Sequence, residues 1–301
     1  MMAQILLTAQ NGQLGWEIAR RAQRLGLTVA GGDRRTLDIT DNAAVVRAVR
    51  DAAPRVVINA AAYTAVDKAE TDQDAALDVN RDGAAHLAAA CAAAGIPMIH
   101  LSTDYVFDGR KPTPYVETDP VGPLGIYGAS KLAGEEAVRA ATPCHVILRT
   151  SWVYGPHGSN FVKTMLRLGQ DHHTLRVVDD QRGSPTMAGD LADAVLTLAQ
   201  KAIDGELRGE GFGTFHCSNS GTTTWHGFAQ AIFKLAAPHM SAAPVVIPVT
   251  SAEFRTVAQR PANSVLACDK LHDMHGIRMR PWQDGLADML GEVFPLPALK
   301  N

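Results

Sequence analysis

Short apolar runs alternate with longer amphipathic stretches along the first half of the chain. A run without polar alternation is typical of a strand buried on both faces of a parallel sheet, whereas apolar positions three and four residues apart are typical of a helix. The predicted strands are residues 4–8, 27–30, 56–62, 98–101 and 144–149, and the predicted helices include residues 41–53 and 75–94. Because strands and helices alternate, the pattern predicts an α/β fold with a parallel sheet.

The second half of the chain is less regular. It contains a predicted helix at about residues 160–169, strands at 175–178 and 245–247, a polar loop at 179–186 and an alanine-rich helix near 225–236. A chain of 301 residues with 46% hydrophobic content is long enough for a main domain and a smaller annex. We therefore expect two lobes that share one cleft.

A glycine-containing turn joins the first predicted strand to the first predicted helix. Gly12 would let the backbone approach a pyrophosphate, and Gly15 would let the helix pack closely on the strand. Ala9 stands where such a loop usually has its first glycine, and an ordinary strand-to-helix turn remains an open alternative. The candidate cofactor-binding residues of the turn are Gln10, Asn11, Gly12, Gln13, Leu14 and Gly15.

Asp33 and Arg34 follow the second predicted strand. An acid at this position binds the adenosine ribose hydroxyls and favours NAD, whereas an arginine can pair with the additional phosphate of NADP. The sequence contains both the acid and the arginine, so it does not distinguish NAD from NADP. Small residues from Ala60 to Ala62 follow the next strand and leave room for a flat ligand, although close packing explains them equally well.

Tyr127 and Lys131 are four residues apart, so they share one face of a helix. We expect the lysine to lower the pKa of the tyrosine and so to let the phenol exchange a proton with a substrate oxygen. A surface tyrosine and a solvated lysine at helical spacing are the alternative. Ser102, Thr103 and Asp104 end a strand, at the edge of a parallel sheet where ligands bind, although such residues also cap turns.

Charge and cysteine content narrow the class of protein. The formal net charge of −3 and the pI near 6.4 indicate no basic face, so we expect small molecules rather than nucleic acid as partners. The four cysteines are far apart and form no disulfide framework or zinc motif, which predicts reduced thiols and a cytoplasmic location. We expect no signal peptide and no membrane span.

The order of these features resembles the extended short-chain dehydrogenase/reductases. The resemblance lies in the glycine turn, Tyr127-x-x-x-Lys131, and the segments 59–70, 102–109, 149–155, 160–168, 178–186 and 260–264. It implies a Rossmann-type, doubly wound parallel sheet with a smaller C-terminal substrate-binding lobe. Residues 1–155 would form mainly the dinucleotide-binding domain, and residues 156–301 mainly the lobe, with some segments returning to the Rossmann domain.

The resemblance implies an oxidoreductase that uses NADPH or NADH to reduce the C4 ketone of a dTDP-linked 4-dehydro-6-deoxy sugar to dTDP-L-rhamnose. Tyr127 would donate the proton, Lys131 would lower its pKa and bind the nicotinamide ribose, and Thr103 would orient the carbonyl. The implied cofactor contacts, besides the turn, are Asp33, Arg34, Asp38, Ile39, Ala61, Ala62, Tyr63, Tyr127 and Lys131. The implied substrate contacts are Thr103, Asp104, Val106, Tyr127, Trp152 and Arg260.

Trp152 and Arg260 each have a structural alternative, a core tryptophan and a solvated surface arginine. Some relatives hold magnesium at a homodimer interface with three glutamates, and the corresponding positions here are Glu17, Asp190 and Glu292. Two other functions remain open at this stage: a nucleotide-sugar epimerase or dehydratase of the same superfamily, and a non-catalytic regulatory subunit.

Overall fold

The computed structural model describes residues 3–294; residues 1–2 and 295–301 of the predicted domains lie outside this range. The strands are β1 (Ile5–Thr8), β2 (Val29–Gly32), β3 (Val56–Asn59), β4 (Met98–Thr103), β5 (His145–Thr150), β6 (Val153–Tyr154), β7 (Thr174–Val178), β8 (Arg182–Gly183), β9 (Thr186–Met187), β10 (Gly213–His216), β11 (Thr223–Thr224) and β12 (Val245–Val249).

The helices are α1 (Gln13–Arg24), α2 (Asn42–Ala52), α3 (Val66–Ala69), α4 (Gln73–Leu77), α5 (Gly83–Ala94), α6 (Ile126–Ala141), α7 (Phe161–Asp171), α8 (Ala188–Ile203), α9 (Trp225–Ala236), α10 (Asp269–His275) and α11 (Trp282–Val293). A π-helical turn, Asp78–Asp82, lies between α4 and α5, and short 3₁₀ turns occur at Asp104–Val106, Gly209–Gly211 and Ala237–His239. Among residues 3–294, no helix has the length and apolar content that crossing a bilayer requires.

The main sheet has six strands in the order β10-β5-β4-β3-β1-β2, and all neighbouring pairs are parallel. Helices α1 and α8 pack on one face, whereas α2, α5 and α6 contribute to the core on the other. The strand order reverses between β1 and β3, which places a ligand crevice at their carboxyl ends. The predicted Rossmann-type, doubly wound α/β fold is confirmed.

The C-terminal half builds a smaller lobe around a second hydrophobic core. Tyr154, Phe228, Trp282 and Leu286 are buried there, and the parallel pair of β7 and β12 packs against α9. β10 and α8 instead join the core of the main sheet. The division near residue 155 stays a prediction.

The predicted helix at 75–94 is interrupted, which corrects the sequence interpretation. Asn80, inside the π-helical turn, accepts a hydrogen bond from Tyr63 N at 2.9 Å and donates to Ser130 Oγ at 2.9 Å. A Cβ on Gly134 of α6 would lie 2.1 Å from Asn80 O, so the interruption coincides with close packing of α6. Tertiary contacts outweigh the helical preference of an alanine-rich segment here.

Candidate active site

A cavity of about 610 Å³ lies at the carboxyl end of the main sheet. The glycine turn, the segments that follow β3, β4 and β5, and the first turns of α6 contribute its walls. Predicted site residues in its lining include Asn11, Gly12, Gln13, Leu14, Ala62, Thr103, Asp104, Tyr127, Lys131 and Trp152. The fold therefore brings most of the predicted chemistry to one cleft.

The glycine turn is tightly packed. Gly12 N donates to Ala9 O at 2.8 Å, and a Cβ on Gly15 would lie only 2.1 Å from the same oxygen. Gly15 therefore meets the predicted requirement for close packing of α1 on β1. Ala9 has φ +50°, which lies in the left-handed region where a methyl group is unfavourable. The missing first glycine thus has an energetic cost.

A second cavity of about 190 Å³ shares Ala9 with the first. The predicted cofactor residues Arg34, Asp38, Ile39, Ala61, Ala62 and Tyr63 line it. Two adjoining cavities beside a glycine turn have the arrangement that an elongated dinucleotide requires.

Neither Asp33 nor Gln10 lines either cavity. Their side chains instead contact the glycine turn and the end of β2. Asn11 Nδ2 donates to Asp33 Oδ2 at 2.8 Å, and the hydrogen bond from the Arg35 backbone N–H is the main cause that lowers the pKa of Asp33. Gln10 places its side-chain amide over Gly31, where a Cβ would lie 1.7 Å from Gln10 Oε1. Gly31 therefore leaves room for this amide at the end of β2.

Tyr127 and Lys131 lie on the first turns of α6 and both line the cavity. Burial raises the pKa of Tyr127 to about 12, and a hydrogen bond with the Thr103 side chain opposes that rise. Burial lowers the pKa of Lys131 to about 8, and its Nζ donates to Leu101 O at 2.6 Å. Desolvation dominates at the phenol, so the pKa of Tyr127 is raised rather than brought towards neutrality as expected.

A buried ion-pair network lies one helical turn beyond Lys131. Glu135 receives Nε and Nη2 of Arg149 at 2.9 and 2.7 Å, and it receives the Ser102 hydroxyl at 2.6 Å. Its negative charge also favours the protonated form of Lys131. Glu135 is not among the predicted site residues, although its position four residues after Lys131 places it on the same helix face.

Thr103 and Asp104 end β4 at the cavity wall. Thr103 Oγ1 donates to Asp104 Oδ1 at 3.0 Å and accepts from Tyr105 N at 3.2 Å. Asp104 is only 2% exposed, and burial raises the pKa of its carboxyl to about 7. Val106, a predicted substrate contact, is instead fully buried in a small hydrophobic cluster with Phe107.

Trp152 lines the main cavity and packs against Trp225, which is not among the predicted site residues. Its ring stacks on Trp225 of α9, with centroids 3.5 Å apart and planes 7° apart. Trp152 has φ +48°, and a Cβ on Gly183 would lie 2.4 Å from its Cε2. Such strain in a bulky residue at a cavity indicates a functional constraint. No sequence spacing linked Trp152 to Trp225.

Arg260 lines a separate cavity of about 400 Å³ and does not line the main one. Its guanidinium binds both carboxylate oxygens of Asp67, at 3.1 and 2.8 Å, and Ala258 N donates to the same carboxylate at 3.0 Å. In this structure Arg260 ties the C-terminal half to α3 rather than presenting a free phosphate-binding fork.

Each of the three predicted magnesium ligands lies beside an arginine in this structure. Buried Glu17 accepts from Arg20 at 2.8 Å, Glu292 lies 3.6 Å from the same arginine, and Asp190 pairs with Arg280 at 2.9 Å. Within residues 3–294, no three metal-binding side chains are grouped to hold an ion. Arginine already neutralises these carboxylates, so the expectation of Mg²⁺ is not supported.

The fold, the adjoining cavities and the Tyr127–Lys131 pair define a nicotinamide-dependent oxidoreductase of the short-chain dehydrogenase/reductase class. Within that class, the chain belongs to the family of the RmlD substrate binding domain, which it matches over residues 2–294. A dTDP-4-dehydrorhamnose reductase of Sinorhizobium fredii is 46% identical over 283 residues, which cover 93% of this chain and 94% of that protein.

Two solved dTDP-4-dehydrorhamnose reductases have the same fold. The protein from Clostridium acetobutylicum has a TM-score of 0.89 and 41% identity, covering 96% of this chain and 99% of that one. The Bacillus anthracis protein, solved in complex with NADP, has a TM-score of 0.89 and 37% identity, covering 97% of this chain and 100% of that one. The resemblance seen in the sequence is thereby confirmed.

Proposed function

We propose that this protein reduces the C4 ketone of dTDP-4-dehydro-L-rhamnose to dTDP-L-rhamnose with NADPH. The observation that carries the proposal is the placement of Thr103, Tyr127 and Lys131 around one cavity beside the glycine turn. Membership of the RmlD family and relatives named dTDP-4-dehydrorhamnose reductase support the substrate. The NADP complex of the Bacillus anthracis relative supports the cofactor.

The cofactor would lie along the carboxyl edge of β1 to β4, held by the glycine turn, Arg34 and Tyr63. Arg34 is exposed at the rim of the smaller cavity, where a guanidinium can pair with the additional phosphate of NADP. When bound, the reduced nicotinamide supplies the hydride. We assign this task mainly to residues 1–155 and sugar recognition mainly to residues 156–301.

Tyr127 is the proton donor in this proposal. A ketone that receives hydride gains negative charge on its oxygen, so a donor that is already aimed at that oxygen lowers the barrier. Thr103 lines the same cavity as the phenol, and Lys131 adds a buried positive charge four residues along α6. Trp152 and Asp104 would contact the sugar, because both line the same cavity.

Two alternatives make different predictions. An epimerase or dehydratase of the same superfamily would retain NAD and show no net consumption of reduced cofactor. A regulatory subunit would not need a tyrosine, threonine and lysine gathered around a cavity, and here all three are present and lie together.

The test is the loss of reduced-nicotinamide absorbance when the purified protein meets dTDP-4-dehydro-L-rhamnose generated in situ. NADPH and NADH are run in parallel, with Tyr127→Phe as the control. Oxidation that requires both substrate and Tyr127 would support the reductase, and faster oxidation of NADPH would support the cofactor assignment. Folded protein that binds NADPH but oxidises neither cofactor would overturn the proposal.

A further inference from the structure

The first turn of α6 carries Tyr127 and follows a loop of residues 107–125. Gly125 is the N-cap of this helix, and glycine has no side chain that can accept a hydrogen bond from the N–H groups of the first turn. Helix ends fray, so a proton donor at an uncapped helix start would be poorly aimed. Contacts from outside the helix are therefore needed to hold Tyr127 in place.

Glu70 supplies such a contact from a distant segment. Its Oε1 accepts a hydrogen bond from Ile126 N, the first N–H of α6, at 2.9 Å. A Cβ on Gly125 would lie only 2.6 Å from the same oxygen, so glycine at the N-cap leaves room for the Glu70 carboxylate. A negative charge is also favourable at the N-terminal end of the helix dipole. Glu70 therefore caps α6 in place of the N-cap residue.

The segment that carries Glu70 is held by the C-terminal half of the chain. Asp67, three residues earlier on α3, accepts hydrogen bonds from Arg260 at 3.1 and 2.8 Å and from Ala258 N at 3.0 Å. A bidentate arginine–carboxylate pair has a defined geometry, so it limits the movement of this segment. The carboxylate of Glu70 is thus presented to α6 from a segment that is itself anchored.

We propose that Glu70 is a positioning residue for the reduction, because its cap on α6 fixes the place of the Tyr127 phenol in the cavity. Tyr127 is the second residue of α6 and follows directly after the N–H that Glu70 binds. On its other side in the sequence, a Cβ on Gly128 would lie 2.2 Å from Tyr105 O, so the backbone packs tightly there. Contacts at Ile126 and Gly128 therefore hold the turn on both sides of Tyr127.

Lys131 does not depend on this cap. It lies one helical turn further along α6, and its Nζ donates to Leu101 O at 2.6 Å. Glu135, in the following turn, is bound by Arg149. Loss of the cap should therefore disturb Tyr127 and leave the lysine in place. The expected kinetic result is a lower kcat with little change in KM for NADPH.

The inference rests on the proposed function, so its first test is steady-state kinetics with NADPH and the dTDP-sugar. Glu70→Ala removes the acceptor, and we expect kcat to fall by about 10- to 100-fold, as for a displaced reacting group, with KM for NADPH within about twofold of wild type. Glu70→Gln retains an oxygen that can accept from Ile126 N and should restore most of the loss. A wild-type kcat in Glu70→Ala would overturn the inference.

Asp41→Ala is the matched control, because Asp41 also caps a helix. Its side chain accepts from Ala44 N of α2 at 3.0 Å, and Asp41 lines neither cavity. Both alanine variants should lower the midpoint of denaturant unfolding, since each removes a helix cap. Only Glu70→Ala should lower kcat. An equal loss of kcat in the two variants would indicate general destabilisation and would contradict a positioning role.

A second measurement does not depend on turnover, so it separates failure of this inference from failure of the proposed function. In protein labelled with fluorotyrosine, the fluorine NMR resonance of Tyr127 is assigned by its absence in Tyr127→Phe. It should shift or broaden in Glu70→Ala and stay unchanged in Glu70→Gln and Asp41→Ala. An unchanged resonance in Glu70→Ala would overturn the inference. A displaced resonance with an inactive wild type would support the cap and count against the proposed substrate alone.

Discussion

The two walls of the cleft are built in different ways. On the sheet side, Thr103 ends β4, Tyr127 and Lys131 begin α6, and the glycine turn follows β1. Each of these groups belongs to a short local motif. The part of the lining that Trp152 contributes, here called the recognition wall, is held instead by contacts of Trp152 with Trp225 and Gly183, which are distant in the chain. The comparison suggests that proton-transfer chemistry is encoded locally, whereas the recognition wall depends on long-range packing.

Removal of the phenol on the sheet side should have the largest effect. Tyr127→Phe keeps the ring and its edge contact with Tyr105 but loses the proton donor. We expect kcat to fall by about 100- to 10,000-fold, as for loss of a general acid, with NADPH affinity within about twofold of wild type. Steady-state kinetics and a fluorescence titration with NADPH measure the two quantities. Near-normal turnover would remove Tyr127 from the mechanism.

The next largest effect is expected for a substitution in the glycine turn after β1. In Gly15→Ala the new Cβ would lie 2.1 Å from Ala9 O, a backbone atom, so the turn must shift. Overpacking of this kind costs about 1–3 kcal/mol, and we expect NADPH affinity to fall by more than about tenfold. Denaturant unfolding and the NADPH titration give both values.

Gly291 provides the matched control for that substitution. It lies in α11, and a Cβ placed there meets nothing within 4 Å. Gly291→Ala should stabilise the protein by about 0.5–1 kcal/mol, as expected for alanine in a helix, and should leave NADPH affinity unchanged. Equal NADPH affinities in the two alanine variants would mean that the turn does not hold the cofactor.

The contrast between local motifs and long-range contacts also explains which parts of the fold and the site could be predicted from the sequence. The alternation of strands and helices in the first half of the chain, the glycine turn and the Tyr127–Lys131 spacing follow from local patterns, and only the predicted helix at 75–94 is interrupted there. The pKa of Tyr127 and the salt bridge between Arg260 and Asp67 depend on burial and on contacts between distant segments. Such effects arise only when the chain is folded, so no spacing in the sequence reports them.

Substitutions behind Trp152 should change KM for the sugar, whereas substitutions of the catalytic groups should change kcat. Trp225→Ala removes the ring on which Trp152 stacks, so we expect KM for the sugar to rise by about tenfold while kcat changes by less than about threefold. Trp225→Phe retains an aromatic surface and should restore most of the loss. Trp282→Phe, in the lobe core away from the cavity, controls for a general loss of stability. A large fall in kcat with normal KM would contradict a recognition role.

The smallest expected effect is that of a substitution at Ala9, which replaces the usual first glycine of the turn after β1. Its φ of +50° costs an alanine about 1–2 kcal/mol, and glycine would recover this cost less its own entropy of about 0.5–1 kcal/mol. Ala9→Gly should therefore stabilise the fold by up to about 1.5 kcal/mol, measured by denaturant unfolding. Ala53, with φ +40° at the exposed end of α2, is the matched control, and Ala53→Gly should give a similar gain.

An NADPH titration distinguishes Ala9→Gly from Ala53→Gly by their cofactor affinity. Ala9 lines both cavities and Ala53 lines neither, so only Ala9→Gly can alter cofactor affinity. If the methyl group is merely strained, affinity stays within about twofold of wild type while stability rises. If Ala9→Gly loses both stability and affinity, the methyl contributes packing to the turn that outweighs the backbone strain. The residues around Ala9 would then pack against its methyl group. Cofactor binding at the glycine turn would in that case depend on these surrounding contacts as well as on the short motif itself.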